Sequence, residues 1–315
     1  MDSSPELITI GMPVRNGARF ITEAITSLLS QDFPNFRLLI SDNASEDETE
    51  EICRGFALVD SRVTYQRLNS PVPALNNFLN VLEASDSRFF MWAAHDDTWE
   101  TNWLSTLVPK MSENHIVGAM GRLEQTDCNG GAIVEHPAHG ALLRIAESRN
   151  YWWRTIRFVS APESRGKSNL IYSVFRSNEL KITMRNAIAN SLDFDCAIVL
   201  GVLEYGAINV DSSAVFRKRI CQGEQEPAHL VSNHSRTGSP FISARRIQTL
   251  ALSWRTSEFY KSLLQYQVRG PAPLRYAVRA LAPSRGSNIS ARALYEASDD
   301  VSLRITDRVV NRILK

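Results

Sequence analysis

Two adjacent carboxylates, Asp96 and Asp97, follow a run of bulky apolar residues at positions 89–94. The run is long enough for one buried strand, so the chain passes from the core directly to two negative charges. Hard oxygen ligands of this kind suit Mg²⁺ or Mn²⁺, ions that usually bind together with substrate phosphates. An ordinary polar turn after a strand is the alternative, because Asp-Asp-Thr is common turn chemistry.

Strands and helices alternate along the part of the chain that leads to this pair. Apolar runs with strand character are separated by polar turns and by apolar repeats at helical spacing. Ser45 and Glu48 have the spacing of a capping box, which predicts that a helix starts there. The predicted elements are strands at 7–12, 36–41 and 62–67 and helices over 20–29, from 45 onward and over 74–84. This alternation predicts an α/β fold with a parallel sheet.

Three polar loops follow predicted strands: Pro13–Asn16 follows 7–12, Asp42–Asn43 follows 36–41, and His95–Asp97 follows the apolar run at 89–94. In an open parallel sheet, ligands bind at the carboxyl ends of the strands, so the three loops are expected to meet at one edge. Neither G-x-G-x-x-G nor G-x-x-x-x-G-K-[ST] occurs in the sequence. A nucleotide site at this edge would therefore depend on carboxylates and a metal rather than on a glycine-rich loop.

In this order, the segments PVRNG at 13–17, ISDNASED at 40–47 and WAAHDDTW at 92–99 resemble the motifs of family 2 glycosyltransferases. The resemblance covers roughly residues 6–220. It implies the GT-A fold, a Rossmann-like, mostly parallel sheet flanked by helices. The segment from Ser168 to Arg176 is predicted to form a strand. Its NLIYSVFR sequence, with the SDNAS and AAHDD spellings, is similar to a subgroup of bacterial polysaccharide and O-antigen type.

The resemblance assigns residues to the nucleotide. Asp42 matches the aspartate that pairs with the nucleobase, although a turn-forming aspartate is the simpler explanation. Pro13, Arg15 and Asn16 match the loop under the nucleotide. Asn77 matches an asparagine of the segment that precedes the metal strand. These residues are the expected donor-binding set.

The metal motif departs from the commonest family pattern, because Ala94 stands where the first aspartate of D-x-D-D would be. The resemblance then implies Asp96 as the main ligand of Mn²⁺ or Mg²⁺. Asp97 is expected to bind either the metal or a sugar hydroxyl. His95 is a further donor-site candidate, with a packed, hydrogen-bonded histidine as the alternative.

The second half supplies candidates for the catalytic base and for the diphosphate. Asp195 matches the aspartate of the family's E-D motif, while Phe194 replaces the glutamate. The resemblance favours Asp195 as the general base with Asp193 as fallback, whereas the residues alone fit an N-cap aspartate equally well. Arg217 and Arg219 are expected to contact the diphosphate.

These assignments imply an inverting, metal-dependent glycosyltransferase, with UDP as the expected carrier and a glycan or lipid-linked hydroxyl as the acceptor. One alternative is a nucleotide-sugar-binding protein with eroded catalysis, because Ala94 and Phe194 both depart from the pattern at the catalytic edge. Another is a nucleotidyltransferase, but the glycine-rich, basic opening expected of that class is missing.

Charge is distributed unevenly along the chain. Residues 245–315 hold 13 Lys/Arg and 5 Asp/Glu, whereas residues 1–244 hold 22 and 29. We predict a GT-A domain over 1–237 and a basic helical extension over 238–315, which could bind an anionic membrane, pack on the body or form an oligomer contact. The overall net charge of +1 indicates no nucleic-acid partner.

The four cysteines are widely spaced and contain no C-x-x-C, so they predict neither a zinc site nor a disulfide framework. The longest apolar run, 196–210, is too short to cross a bilayer and contains Glu204 and Gly206. The chain begins without a signal-peptide pattern. A cytoplasmic protein, with peripheral contact to the inner face of the membrane, is expected.

Overall fold

A computed structural model describes residues 8–133, 146–160, 167–187 and 194–221. Within them the strands are β1 Ile8–Val14, β2 Phe36–Asp42, β3 Val63–Arg67, β4 Phe89–Trp92, β5 Thr98–Trp99, β6 Ile116–Thr126, β7 Ala132–Ile133, β8 Val174–Arg176 and β9 Ala207–Arg219. The helices are α1 Ile21–Leu29, α2 Thr49–Val59, α3 Ala74–Glu83, α4 Trp103–Leu107, α5 Tyr151–Ser160, α6 Ser177–Ala187 and α7 Phe194–Val202. Two 3₁₀ segments cover Val108–Ser112 and Lys167–Tyr172.

One sheet joins these strands in the order β3-β2-β1-β4-β8-β6-β9-β5, with β7 paired to β6. The first four strands are mutually parallel. Strand β8 runs antiparallel to both of its neighbours, whereas β6 and β9 are parallel. Every residue of β1 and β4 is buried, as expected for strands with both faces covered. The mostly parallel α/β architecture predicted from the sequence is confirmed.

Strand β1 is the point where the strand order reverses, because β2 and β3 lie on one side of it and β4 lies on the other. Ligand sites of open α/β sheets form in the crevice at such a point, beyond the carboxyl ends of the strands. Close packing holds β1 against β4 and α3: a Cβ on Gly11 would lie 2.5 Å from Phe90 and 2.8 Å from Val81.

An aromatic cluster around Phe216 attaches β9 to the segment that follows β4. Trp99 stacks on Phe216 with 5.4 Å between ring centroids, and Trp103 and Tyr172 lie 6.0 and 5.4 Å away. Strand β5 pairs with β9 at the same place. The loop between β4 and β5 is therefore held at both ends by buried structure.

Two predictions about local structure are wrong. Helix α2 begins at Thr49 without a side-chain cap, because the Ser45 hydroxyl instead accepts from the Asn16 amide and donates to Asp42. The segment predicted as a strand from Ser168 first forms a 3₁₀ turn, closed by bonds from Ser173 to the Leu170 carbonyl. The cysteine spacing predicted no disulfide framework, yet two of the four cysteines are paired.

Cys128 and Cys221 form a disulfide with 5.0 Å between their Cα atoms, while Cys53 and Cys196 are free and buried. The two half-cystines are 93 residues apart. Their pairing follows from the adjacency of β6 and β9, which sequence spacing does not reveal.

The basic segment 245–315 and the proposed boundary at 237/238 lie outside the described residues. In the ranges that the structure does describe, no helix has the length and apolarity needed to cross a bilayer.

Candidate active site

The loop after β1 is fastened to the loop after β2 through Asn16. Its backbone has a left-handed φ of 51°, a conformation that asparagine tolerates better than most residues. The Asn16 amide donates to the Ser45 hydroxyl at 2.9 Å, and its side-chain oxygen accepts from the Glu46 amide at 2.9 Å. Arg15, which is half-buried, reaches Glu46 at 3.7 Å. Asn16 therefore fixes the relative position of the two loops.

Asp47 makes a second connection between the same loops. Its carboxylate accepts hydrogen bonds from the Ala18 amide at 2.9 Å and from the amide and hydroxyl of Thr49. The Thr49 hydroxyl in turn accepts from the Gly17 amide at 2.8 Å. Burial alone would raise the pKa of Asp47, but these hydrogen bonds outweigh it and hold the pKa below its ordinary value.

Asp42, the predicted base partner, is fully buried at the end of β2. One oxygen accepts from the amide and the hydroxyl of Ser45 at 2.8 and 2.6 Å, and the other accepts from the Tyr65 hydroxyl at 2.7 Å. Arg67 lies 3.9 Å away. Burial and the bond to Asp42 raise the pKa of Tyr65. Asp42 thus closes the turn after β2, and its role toward a base stays a prediction.

Two other members of the predicted donor set lie inside the sheet. Pro13 is buried within β1, beside Ser41 of β2. Asn77 is buried on α3 and exchanges two hydrogen bonds with Ser41, at 2.6 and 2.9 Å. In this structure Asn77 attaches α3 to β2, beneath the loops.

His95 is half-buried and connects the loop after β4 with the loop after β1. Its ring packs over Gly17 so closely that a Cβ there would lie 2.7 Å from His95 Cδ2. Packing of this kind fits the packed-histidine alternative at least as well as a donor contact.

Asp96 and Asp97 have different environments despite being adjacent. Asp97 is 2% exposed, and its Oδ1 accepts from the Arg219 amide at 2.8 Å. Burial, and then the neighbouring Asp96 carboxylate, raise the pKa of Asp97 to about 8. Asp96 is half-exposed, and no hydrogen bond or ion pair reaches its carboxylate from the described part of the chain.

This donor set fits a cation that takes most of its ligands from elsewhere. A bound divalent ion would relieve the electrostatic repulsion between the Asp96 and Asp97 carboxylates. Among the described residues, no cluster of three or more His, Cys, Asp or Glu side chains could form a complete protein cage. Mg²⁺ and Mn²⁺ sites of this type commonly use one or two carboxylates together with phosphate oxygens and water.

The two arginines predicted to contact the diphosphate are both engaged with protein acceptors. Arg219 is almost completely buried and donates to the carbonyls of Asp96 and Cys128 at 3.0 Å each. Arg217 pairs with Glu100 and, at 3.2 Å, with Glu124. A diphosphate contact by either residue stays a prediction, and it would compete with these bonds.

Lys218 lies between these arginines and was not singled out from the sequence. Its ammonium group donates to Asn169 at 2.8 Å, lies 5.5 Å from the Tyr172 ring centroid and lowers the pKa of Asp97. Alternation along β9 places Lys218 on the face opposite Arg217 and Arg219, and this period of two was the available signal.

The predicted general base, Asp195, lies half-buried in the first turn of α7. Helix α7 packs against the 3₁₀ segment that contains Asn169 and Tyr172, next to Lys218. The fallback base, Asp193, lies outside the described residues.

The family model described as Glycosyl transferase family 2 matches residues 9–176, which include the loops after β1, β2 and β4. The chain belongs to glycosyl transferase family 2. Its matched region covers β1 to β8 and ends before β9.

Curated relatives of this family 2 chain carry glycosyltransferase names. An uncharacterised glycosyltransferase of Rickettsia prowazekii is 27% identical over 138 residues, covering 42% of this chain and 39% of the relative. Glycosyltransferase GlyG of Streptococcus pneumoniae is 23% identical over 127 residues, covering 39% and 42%. The matches thus span about two fifths of the length of these relatives.

Solved structures share the fold at low identity. Residues 1–349 of S. aureus TarS, in complex with UDP-GlcNAc, match with a TM-score of 0.52 and 15% identity, covering 97% of this chain and 92% of that chain. The mannosyltransferase PcManGT of Pyrobaculum calidifontis, in complex with GDP-Man and Mn²⁺, matches with a TM-score of 0.51 and 14% identity, covering 98% and 88%. The GT-A fold prediction is confirmed.

Proposed function

We propose that this protein transfers a sugar from a nucleoside-diphosphate donor to a hydroxyl of a glycan or lipid-linked acceptor. The observation that carries this proposal is the edge formed by three loops at the carboxyl ends of β2, β1 and β4, where the Asp96 carboxylate is half-exposed. Family membership supports sugar transfer as the chemistry. The related folds are bound to UDP-GlcNAc in one case and GDP-Man in another, and we propose UDP as the carrier.

In this proposal the nucleotide binds over the crevice between β1 and β4. Asp42 would accept a hydrogen bond from the base in place of the one that the Tyr65 hydroxyl now donates to its Oδ2. Arg15 and Asn16 line the nucleotide from the loop after β1. The bonds from Asn16 to Ser45 and Glu46 would keep that loop in place when the donor binds. Holding a donor in one pose lowers the entropic part of the barrier.

Asp96 would hold Mn²⁺ or Mg²⁺. When bound, such an ion supplies charge stabilisation to the departing nucleoside diphosphate. The Asp97 carboxylate is turned toward the Arg219 amide, so we propose that Asp97 orients the loop and that Asp96 alone provides the exposed oxygen. The substitution of alanine at position 94 makes this dependence on Asp96 stronger.

Asp195 is proposed to accept the proton of the acceptor hydroxyl as that hydroxyl attacks the anomeric carbon from the face opposite the leaving group. A carboxylate in the first turn of a helix is favoured as the anion, which is the form that a base requires. Attack from the opposite face inverts the configuration.

The proposal extends to the cellular setting of the protein. We propose a cytoplasmic location, with residues 238–315 as a basic extension that contacts the inner face of the membrane. Thirteen basic residues in 245–315 support attraction to anionic lipid. Sedimentation of the full chain and of a chain ending at residue 302 with anionic liposomes tests this contact.

A second candidate function is donor binding with eroded catalysis. It is favoured by Ala94, which removes one carboxylate from the expected metal motif. Tight, metal-dependent donor binding without sugar transfer to any acceptor would support this alternative.

Calorimetric titration of UDP and GDP, with and without Mn²⁺, tests the proposed function. We expect metal-dependent binding, and we expect Asp96→Asn to weaken it by at least about tenfold, because the anionic metal ligand becomes a neutral amide. Asp86→Asn is the matched control, since Asp86 is an exposed aspartate outside the three loops. Affinity that is equal in Asp96→Asn and in the wild type would remove Asp96 as a ligand.

A further inference from the structure

Arg219 is the residue at which the two walls of the crevice and the end of β9 meet. Its side chain is 6% exposed, although arginine is rarely buried unless its charge is paired. The pairing partner is Glu23 of α1, which follows the loop after β1. The Phe20 ring covers the guanidinium, with 4.4 Å from Arg219 Cζ to the ring centroid. One wall of the crevice is thus attached to Arg219.

The other wall is attached to the same residue by two separate bonds. Arg219 Nε donates to the Asp96 carbonyl at 3.0 Å, and the Arg219 amide donates to Asp97 Oδ1 at 2.8 Å. The first bond fixes the backbone from which the Asp96 side chain extends. The second fixes the neighbouring side chain, so Arg219 holds the backbone of the turn that carries the Asp96 carboxylate.

A third set of contacts, with residues at and just after the end of β6, also holds Arg219 in place. Its Nη1 donates to the Cys128 carbonyl at 3.0 Å, and Cys128 is joined to Cys221 by the disulfide. The Ile220 amide, next along the chain, donates to the Thr126 carbonyl at 2.8 Å. The position of Arg219 is therefore determined independently of any bound donor.

We propose that Arg219 is a positioning residue, which holds the Asp96–Asp97 turn against α1 so that the Asp96 carboxylate faces the crevice. This inference rests on the proposed function and adds to it a residue on β9, outside the segment matched by the family. Planar guanidinium is suited to this task because it donates in three directions at once, whereas an ammonium group on a flexible stem does not reproduce that geometry.

Calorimetry with Mn²⁺ and UDP on the full chain tests the positioning role. Arg219→Lys is expected to raise the Kd of UDP measured with Mn²⁺ by about 10- to 100-fold, the usual effect of losing a residue that orients a metal ligand. The Kd of UDP without metal and the binding stoichiometry are expected to stay at their wild-type values. A merely structural loss would instead lower the stoichiometry and leave the Kd of the folded fraction unchanged.

Glu23→Gln provides a second variant in case Arg219→Lys does not fold. The Glu23 side chain is 61% exposed, so the substitution leaves the core intact while it removes the charge that compensates Arg219. It is expected to raise the same Kd, by a smaller factor. Arg185→Lys is the control, because Arg185 also joins two elements through a glutamate, Glu83, but does so on the surface between α6 and α3.

The outcomes are distinct. An unchanged metal-dependent Kd in both Arg219→Lys and Glu23→Gln would overturn the positioning role while leaving the proposed function intact. An equal rise with and without Mn²⁺ would also overturn it, because the effect would not concern the metal edge. If the wild-type protein shows no metal-dependent nucleotide binding, the proposed function and this inference both fail.

Discussion

Removal of the Asp42 carboxylate should lower the free energy of unfolding, by an amount that can be worked out from the hydrogen bonds that the carboxylate accepts. Asp42→Ala leaves the Ser45 amide without an acceptor, and Ser45 is 4% exposed, so water cannot replace the lost bond. A stranded buried donor costs about 1 to 3 kcal/mol. The Tyr65 hydroxyl is half-buried and recovers part of its bond from water, which adds about 1 kcal/mol. We expect a total loss of about 2 to 4 kcal/mol.

Asp42→Asn separates this structural role from the proposed contact with the base. Its amide oxygen still accepts from Ser45, so the loss of unfolding free energy should stay below about 1.5 kcal/mol. Its amide NH₂ then occupies the position of the oxygen beside Tyr65, where a base N–H would need an acceptor. Affinity for UDP is therefore expected to fall by about tenfold or more, because two donors would face each other.

Urea unfolding gives the free energies, and calorimetry of UDP with Mn²⁺ gives the affinities. Asp86→Ala and Asp86→Asn are the controls, and each should lie within about 0.5 kcal/mol of the wild type, as is usual for surface substitutions. A loss of less than about 1 kcal/mol in Asp42→Ala would refute the view that this carboxylate closes the turn after β2. Wild-type UDP affinity in Asp42→Asn would refute its role toward the base and leave only the structural one.

Two further predictions concern catalysis and pH. Asp195→Asn should keep donor affinity and lose sugar transfer by at least about a hundredfold, the usual contribution of a general base; transfer at the wild-type rate would move the base to Asp193 or elsewhere. Hydrogen bonds from Ser213, and then from Lys110, lower the pKa of Asp211 from 3.8 to about 2. The stabilising contribution of Asp211 is thus present above pH 3.8 and is lost as the pH falls toward 2. In denaturant titrations over that range, the unfolding free energy of Asp211→Asn should therefore fall less steeply than that of the wild type.

Much of the first half of the fold is predictable because its signals are local. Strands β1, β2 and β4 consist mostly of apolar residues, and each is followed by a polar turn. Since the carboxyl ends of adjacent parallel strands meet at one edge, the grouping of the three loops follows from the strand pattern alone. The motifs in those loops also indicated the family, which the family match confirms.

Two predictions failed because the side chains involved have partners outside their own sequence motif. Ser45 has the spacing of a helix cap, but its hydroxyl accepts from the Asn16 amide and donates to Asp42, and α2 begins later. Cys128 and Cys221 have no motif in common, and only the pairing of β6 with β9 brings them together. In both cases, residues beyond the local sequence motif supply the deciding contact.

The sequence by itself determined the alternating α/β order, the parallel strands and the family, because these depend on short runs of residue types. Tertiary structure alone decided that Asp97 faces inward and Asp96 outward. The reason is a contact between residues 122 and 123 positions apart, in which Arg219 donates to both aspartates. The register of β9 against β5 and β6 decides which of the two neighbouring aspartate side chains accepts the bond from the distant strand. No local sequence pattern carries that information.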